Sequence, residues 1–209
     1  MKTNLFITFE GPDGAGKTTV MKAIAEKMRI QNKDVITTRE PGGIEIAEKI
    51  REIILNPAYT AMDDRTEALL FAAARSQHFF EKVAPALENN MTVLCDRFID
   101  SSLVYQGIAR GLGVQKVWEI NKFAIGERLP DATILFDLPS EVGLARIAAT
   151  RADEINRLDV ESLEFHRQVR EGYLQIAERF PERIFVVNAN QPLEKVIADT
   201  WAKIQVIFR

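Results

Sequence analysis

The sequence predicts an α/β protein, a five-stranded parallel sheet flanked by helices on both faces, and two observations carry that prediction. Apolar runs of strand length recur at residues 5–10, 34–38, 92–96, 132–138 and 183–189. Longer segments with helical spacing separate them, the alternation that builds a parallel sheet under two layers of helix. The first run, Leu5-Phe6-Ile7-Thr8-Phe9, also passes directly into Gly11-Pro12-Asp13-Gly14-Ala15-Gly16-Lys17-Thr18, which fits G-x-x-x-x-G-K-[ST] at every position.

That octet, lying between a strand and a helix, is the signature of the P-loop NTPase fold. Its three glycines let successive N–H groups turn inward around a phosphate, and the next helix adds its positive N-terminal end. Gly11, Pro12, Asp13, Gly14, Ala15, Gly16, Lys17, Thr18 and the adjoining Thr19 form the candidate ATP-binding set. Lys17 brings a mobile charge to the outer phosphates, and Thr18 offers a hydroxyl to Mg2+, which keeps several waters and needs no all-protein cage.

No repeat, low-complexity tract or composition break divides the 209 residues, so a single domain spanning 1–209 is expected. Hydrophobic residues at 46% and charged residues at 27% are ordinary for a globular chain and select no activity. A formal net charge of -3 argues against broad nucleic-acid binding. The single cysteine, Cys95, excludes a disulfide within the chain and sits in an apolar run, as a buried thiol would. No segment approaches the roughly 20 apolar residues of a membrane span, and no leader pattern precedes the first strand, so a cytoplasmic protein is expected.

In an open parallel sheet ligands bind beyond the C-terminal strand ends. The helix over 17–30 carries Val20, Ile24 and Met28 on one face and packs on the sheet. After the second strand, Thr38-Arg39-Glu40-Pro41-Gly42-Gly43 forces an irregular turn that presents an arginine and a carboxylate. The helix over 44–55 carries Arg51 among isoleucines. The helix over 64–81 is apolar around much of its circumference and is expected to be buried on more than one side. Its Phe71 and Arg75 share a face; taken alone, they read as a core residue and a solvated charge.

The third strand delivers Asp96 to its end as a second metal-organising residue beside Thr18, and Arg97 next to it can meet a phosphate through two parallel hydrogen bonds. Tyr105-Gln106 supplies an aromatic ring and an amide able both to donate and to accept, the equipment for reading a base edge. The closing helices, over 159–179 and 191–208, read as scaffold. His78 reads as surface or packing, and two histidines far apart in sequence give no metal site.

Together, Thr38-Arg39-Glu40-Pro41-Gly42-Gly43, Phe71 with Arg75, and the stretch from Asp96-Arg97-Phe98 to Tyr105-Gln106-Gly107 behind this phosphate loop resemble bacterial thymidylate kinase. Arg157-Leu158-Asp159 and Asn188-Ala189-Asn190-Gln191-Pro192-Leu193 extend the likeness to the last helix. The resemblance implies transfer of the γ-phosphoryl group of MgATP to dTMP, within a homodimer. It implies that Phe71 stacks on thymine, that Arg75 and Gln106 hydrogen-bond its edge, and that Arg51 and Arg97 hold the acceptor phosphate. Asp13 would approach the sugar 3′-hydroxyl and Tyr105 the C2′ position; Ser101, Ser102, Arg39 and Glu40 would complete the dTMP site. Some members carry a catalytic arginine in the phosphate loop where this chain has Gly14. The other branch supplies it from a mobile lid, here residues 146–157, with Arg151 the first choice ahead of Arg157 and Arg146. The catalytic set is then Lys17, Arg97, Arg151 and Asp96, with Thr18 and Asp96 on the metal.

Two other functions share the phosphate loop. A regulatory GTPase would also need Asn-Lys-x-Asp and a D-x-x-G beyond the loop, and the chain has neither. A kinase for another small acceptor keeps loop and lid; Phe71, Arg75 and Gln106 favour a pyrimidine.

Overall fold

The computed structural model describes residues 4–150, 156–158 and 161–208. The chain runs β1 (Phe6–Glu10), α1 (Lys17–Ile30), β2 (Val35–Arg39), α2 (Glu45–Leu55), α3 (Asp64–His78), a π-helical turn (Phe79–Val83) and α4 (Ala84–Glu88). It continues through β3 (Thr92–Asp96), α5 (Ile99–Ser102), a π-helical segment (Leu103–Ala109), α6 (Val114–Ile125) and β4 (Ala132–Asp137). It closes with α7 (Ser140–Thr150), α8 (Leu163–Arg179), β5 (Ile184–Asn188) and α9 (Leu193–Ile207).

All strand pairs are parallel, in the order β2-β3-β1-β4-β5. Alternate side chains feed two cores, as a strand's twofold period requires. Phe6, Val93, Cys95 and Leu135 pack with Phe79, Phe98 and Tyr173 on one face, while Ile7, Phe9, Leu94, Ile134 and Phe136 pack with Val20, Ile24 and Met28 of α1 on the other. Helices thus cover both faces, and burial on both sides explains why the strands read as continuous apolar runs.

The register pairs Phe9 and Arg39 with Asp96, so the C-terminal ends of β1, β2 and β3 come level. From β1 the chain crosses to β2 on one side, and from β3 to β4 on the other. The crevice between β1 and β3 is therefore the topological switch point, where such sheets bind ligands.

The helix expected to run to Glu81 ends at His78 and widens into a π-helical turn. A second π-helical segment, Leu103–Ala109, carries Tyr105 and Gln106. Widened turns of this kind shift the side-chain register within a helix and recur at functional sites. The first closing helix begins at Leu163 rather than 159, capped by the Ser162 hydroxyl accepting from the Phe165 N–H at 3.1 Å.

Candidate active site

A cavity of about 640 Å³ opens over the switch point. The phosphate loop contributes Asp13, Gly14, Gly16, Lys17, Thr18 and Thr19 to its wall; β2 and its turn contribute Arg39 and Glu40, and α2 contributes Arg51. Phe71, Arg75, Asp96, Arg97, Ser101, Ser102, Tyr105 and Gln106 complete it, with Arg146 of α7 at the loop end. Gly11, Pro12 and Ala15 of the expected ATP set lie outside the wall. Their carbonyl or apolar groups have structural work instead: Lys17 Nζ donates to Gly11 O at 3.0 Å and Pro12 O at 2.9 Å, and Ala15 is buried in the core. Burial, aided by the charge of Arg97, brings the Lys17 ammonium down to about 8, so it is held in a setting an anion would relieve.

The loop leans on α7 through two glycines. A Cβ on Gly14, whose φ is +76°, would lie 2.3 Å from Gly143 O, and one on Gly143 would lie 2.5 Å from Asp13 O. Backbone meets backbone there, so position 14 has no room for any side chain while α7 stays in place.

Across the crevice the Thr18 hydroxyl donates to the Asp96 carboxylate. A hydroxyl and one carboxylate, both oxygen donors facing the loop, fit Mg2+, whose other positions are taken by phosphate oxygens and water. Among the described residues no group of three His, Cys, Asp or Glu side chains could hold a metal by itself.

Arg97 is the most constrained residue of the site. Its φ of +70° is left-handed, a conformation that a residue with a Cβ adopts only when its surroundings hold it there. Its N–H donates to Phe9 O at 3.0 Å, Nη1 to the Ser101 and Tyr173 hydroxyls at 3.1 Å each, and Nη2 to Asp13 at 2.5 Å and Tyr105 at 3.4 Å. Burial opposes the Arg97 charge, but Asp13 and the neighbouring hydroxyls outweigh it and hold the guanidinium protonated. Burial likewise raises Asp13, yet Arg97, Lys17 and the Tyr105 hydroxyl, which donates to it at 2.9 Å, pull it well below the usual carboxylate range. Asp13 is thus paired within the protein through Arg97 and Tyr105 while still lining the cavity.

Arg75, read from its spacing as a solvated charge, is 2% exposed. Its Nε donates to Glu40 at 2.7 Å, Nη1 to Ser102 at 2.9 Å and to the Asn121 side chain, and Nη2 to Phe98 O at 2.9 Å. Of its five N–H groups, one on Nη2 has no partner among the described residues. His78, expected at the surface or in packing, is fully buried and bridges Glu40 at 2.9 Å to the Thr38 hydroxyl at 2.7 Å. Arg51 donates to Pro41 O at 2.9 Å and Arg39 to Glu48 at 2.7 Å. Phe71 is half-buried on the cavity wall.

Beneath Arg97 and Ser101 lies a carboxylate that the sequence reading passed over. Glu10, fully buried at the end of β1, accepts from the Phe98 N–H at 2.7 Å, the Ser101 hydroxyl at 2.6 Å and the Tyr173 hydroxyl at 3.0 Å. Burial, with Asp100 nearby, pushes it up to about 7 against the pull of Ser101, Arg97 and Phe98. Tyr173 shows that α8 is more than scaffold. A strand ending in a carboxylate was the signal used for Asp96, and it applied equally to β1; Tyr173, one aromatic on a buried helix face, gave no signal.

Glu10 also sets a pH dependence. Its folded-state pKa is above its usual 4.5, so the native protein holds the proton more tightly than the unfolded chain, and ionisation lowers stability as pH rises from the usual value through about 7. The stability of Glu10→Gln relative to wild type should therefore rise by about 2–3 kcal/mol between about pH 5 and pH 8. Urea denaturation at both pH values checks this, and a difference that is flat or falls with pH refutes it.

Of the three arginines expected in a lid, Arg151 lies outside the described residues, as does Asp159. Arg157 is buried away from the cavity wall, its Nε on Ile54 O at 2.9 Å and its Nη2 on Glu67 at 2.5 Å. Arg146 lines the cavity and donates to Gly14 O at 3.3 Å and Ala189 O at 3.4 Å.

Comparison with known proteins matches this architecture. The thymidylate kinase family model covers residues 9–200. The chain belongs to the thymidylate kinase family. It is 56% identical over 205 residues to a thymidylate kinase of Anoxybacillus flavithermus, covering 98% of both chains. It is 58% identical over 193 residues to one from Bacillus licheniformis, covering 92% of this chain and 91% of that one. A thymidylate kinase of a Geobacillus species is 57% identical over 199 residues, covering 95% of each. One cavity thus joins the phosphate loop to Phe71, Arg75 and Gln106.

Proposed function

We propose that the protein transfers the γ-phosphoryl group of ATP to dTMP, giving ADP and dTDP, and that the observation carrying this reading is the wall shared by the phosphate loop and the Phe71, Arg75 and Gln106 pocket. Lys17, the loop amides and the N-terminus of α1 take the triphosphate. Thr18 and Asp96 would hold Mg2+, which would supply charge neutralisation on the transferring group. Phe71 stacks on thymine, and Arg51 and Arg97 grip the acceptor phosphate, with Ser101, Ser102, Arg39 and Glu40 fixing the arginines and the pocket floor. Tyr105 crowds a ribose 2′-hydroxyl.

No side chain has to act as general base. The acceptor phosphate, with a second pKa near 6, is mostly dianionic at neutral pH. One of its oxygens forms the new bond to the γ-phosphorus as the bond from that phosphorus to the β-phosphate oxygen breaks, and ADP leaves with the electron pair. The task left to the protein is bringing two anions together, which positioning and paired arginines accomplish. Because Gly14 cannot hold an arginine, the remaining charge is assigned to the lid, with Arg151 as donor.

The same reading makes the protein a cytoplasmic homodimer with ATP and dTMP as its partners and no nucleic acid. Leu69 on α3, Phe80 beside it and Phe123 on the neighbouring α6 are large, exposed and apolar, a surface suited to a second copy. No described helix is long and apolar enough to cross a membrane. A coupled assay of ADP formation over nucleoside monophosphates tests the substrate: dTMP should be used at least about tenfold more efficiently, in kcat/KM, than any purine or ribonucleotide. Preference for a purine or a ribonucleotide would overturn the assignment.

A further inference from the structure

We infer that Glu67 is a specificity-determining positioning residue, which fixes the donor and acceptor sense of the Gln106 amide and thereby makes the pocket accept thymine and reject cytosine. Glu67 lies on α3, 1% exposed, and its Oε1 accepts from Gln106 Nε2 at 2.8 Å. An ionised carboxylate only accepts, so the amide end that meets it must be the NH2. The amide orientation, ordinarily a matter of assignment, is here dictated by the chemistry of the partner.

The charge on Glu67 is secured by its other neighbours. Arg110 donates to it from Nε at 3.5 Å and Nη2 at 3.3 Å, and Arg157 from Nη2 at 2.5 Å. Burial works against the charge, but the hydrogen bonds from Gln106 and Arg157 and the nearby Arg110 outweigh it and keep the carboxyl below its usual range. With Nε2 committed, Gln106 Oε1 is the amide's remaining end. It has no partner among the described residues and is not a sealed, unsatisfied atom, so it opens on the cavity that Gln106 lines.

The cavity wall therefore carries an acceptor at Gln106 together with Arg75, one of whose N–H groups has no partner among the described residues. Thymine matches this pair with its N3–H donor and O4 acceptor. Cytosine presents the reverse, an N3 acceptor and an N4 donor, and would leave buried polar groups facing their own kind. Turning the Gln106 amide over would admit cytosine N3, and Glu67 forbids that turn. This inference rests on the pyrimidine reading of the site.

Glu67→Gln tests it, because a glutamine at 67 can accept from Nε2 or donate to Oε1 and so permits both orientations of Gln106. The readout is the ratio of kcat/KM for dTMP to that for dCMP, which a purely structural role would leave alone even as both values fell. The ratio should drop at least about tenfold from its wild-type value. Should E67Q not fold, Glu67→Asp keeps the charge facing Arg110 and Arg157 while withdrawing the acceptor from Gln106, and the same drop is expected. A smaller change in the folded variant overturns the role of Glu67 while leaving the substrate reading intact. A wild-type enzyme that does not prefer dTMP to dCMP overturns the thymine reading of the pocket, and this inference with it.

Discussion

Replacing Arg97 by alanine is expected to lower kcat with dTMP by about a thousandfold while the Kd for ATP changes by less than about threefold. The asymmetry follows from where the side chain is anchored. Its guanidinium is bound to Asp13 of the phosphate loop and to Ser101, Tyr105 and Tyr173 beyond it, while the Lys17 ammonium reaches the phosphate loop carbonyls without it. Removing Arg97 also relieves the repulsion that helps depress Lys17, which offsets any loss at the donor phosphates. Arg97→Lys should recover little, because an ammonium cannot form the two parallel bonds of a guanidinium and cannot reach Ser101, Tyr173 and Asp13 together. Steady-state kinetics with calorimetric ATP titration checks both halves. Undiminished turnover would remove Arg97 from the site.

The left-handed backbone at Arg97 bears on how the site is stabilised. A non-glycine φ of +70° is disfavoured by about 1–3 kcal/mol, and Glu10 offsets it by accepting from the Phe98 N–H immediately after the strained residue. The same carboxylate accepts from Ser101 and Tyr173, which in turn accept from Arg97. Glu10, Arg97, Ser101 and Tyr173 thus form one hydrogen-bonded unit, so single substitutions within it should be non-additive.

Much of this was legible in the sequence, for identifiable physical reasons. Strands buried on both faces read as continuous apolar runs, and the phosphate loop is local chemistry, so β1, α1 and β3 fall within about a residue of their expected limits. What was hidden depends on contacts distant in sequence. Arg75 looks like a surface charge on a helix until Glu40, Phe98, Ser102 and Asn121 converge on it from 23 to 46 residues away. Asn121 itself carried a signal, a polar residue on the otherwise apolar buried face of α6 with Val117, Ala124 and Ile125. The π-helical widening that places Gln106 over Glu67 has no period of its own in the sequence, so the helix there reads as ordinary.

Arg151→Ala is expected to slow the single-turnover rate of phosphoryl transfer by about a hundredfold or more, with the affinities for ATP and dTMP within about threefold of wild type. The reasoning is by the commitments of its neighbours. A catalytic lid charge must be available to the transferring group, and Arg157 is not, since Ile54 O and Glu67 hold it in a buried position off the cavity wall. Arg146 is on the wall, but its guanidinium is bonded to Gly14 O and Ala189 O, where it braces α7 against the loop. Its loss should therefore weaken ATP binding as well as turnover, whereas a residue that engages only the transition state lowers the chemical rate alone. Rapid-quench measurement on both variants separates the two patterns. A wild-type single-turnover rate in Arg151→Ala, with the loss found in Arg146→Ala instead, would move the catalytic charge to α7 and make the close packing of Gly14 on Gly143 the device that aims it.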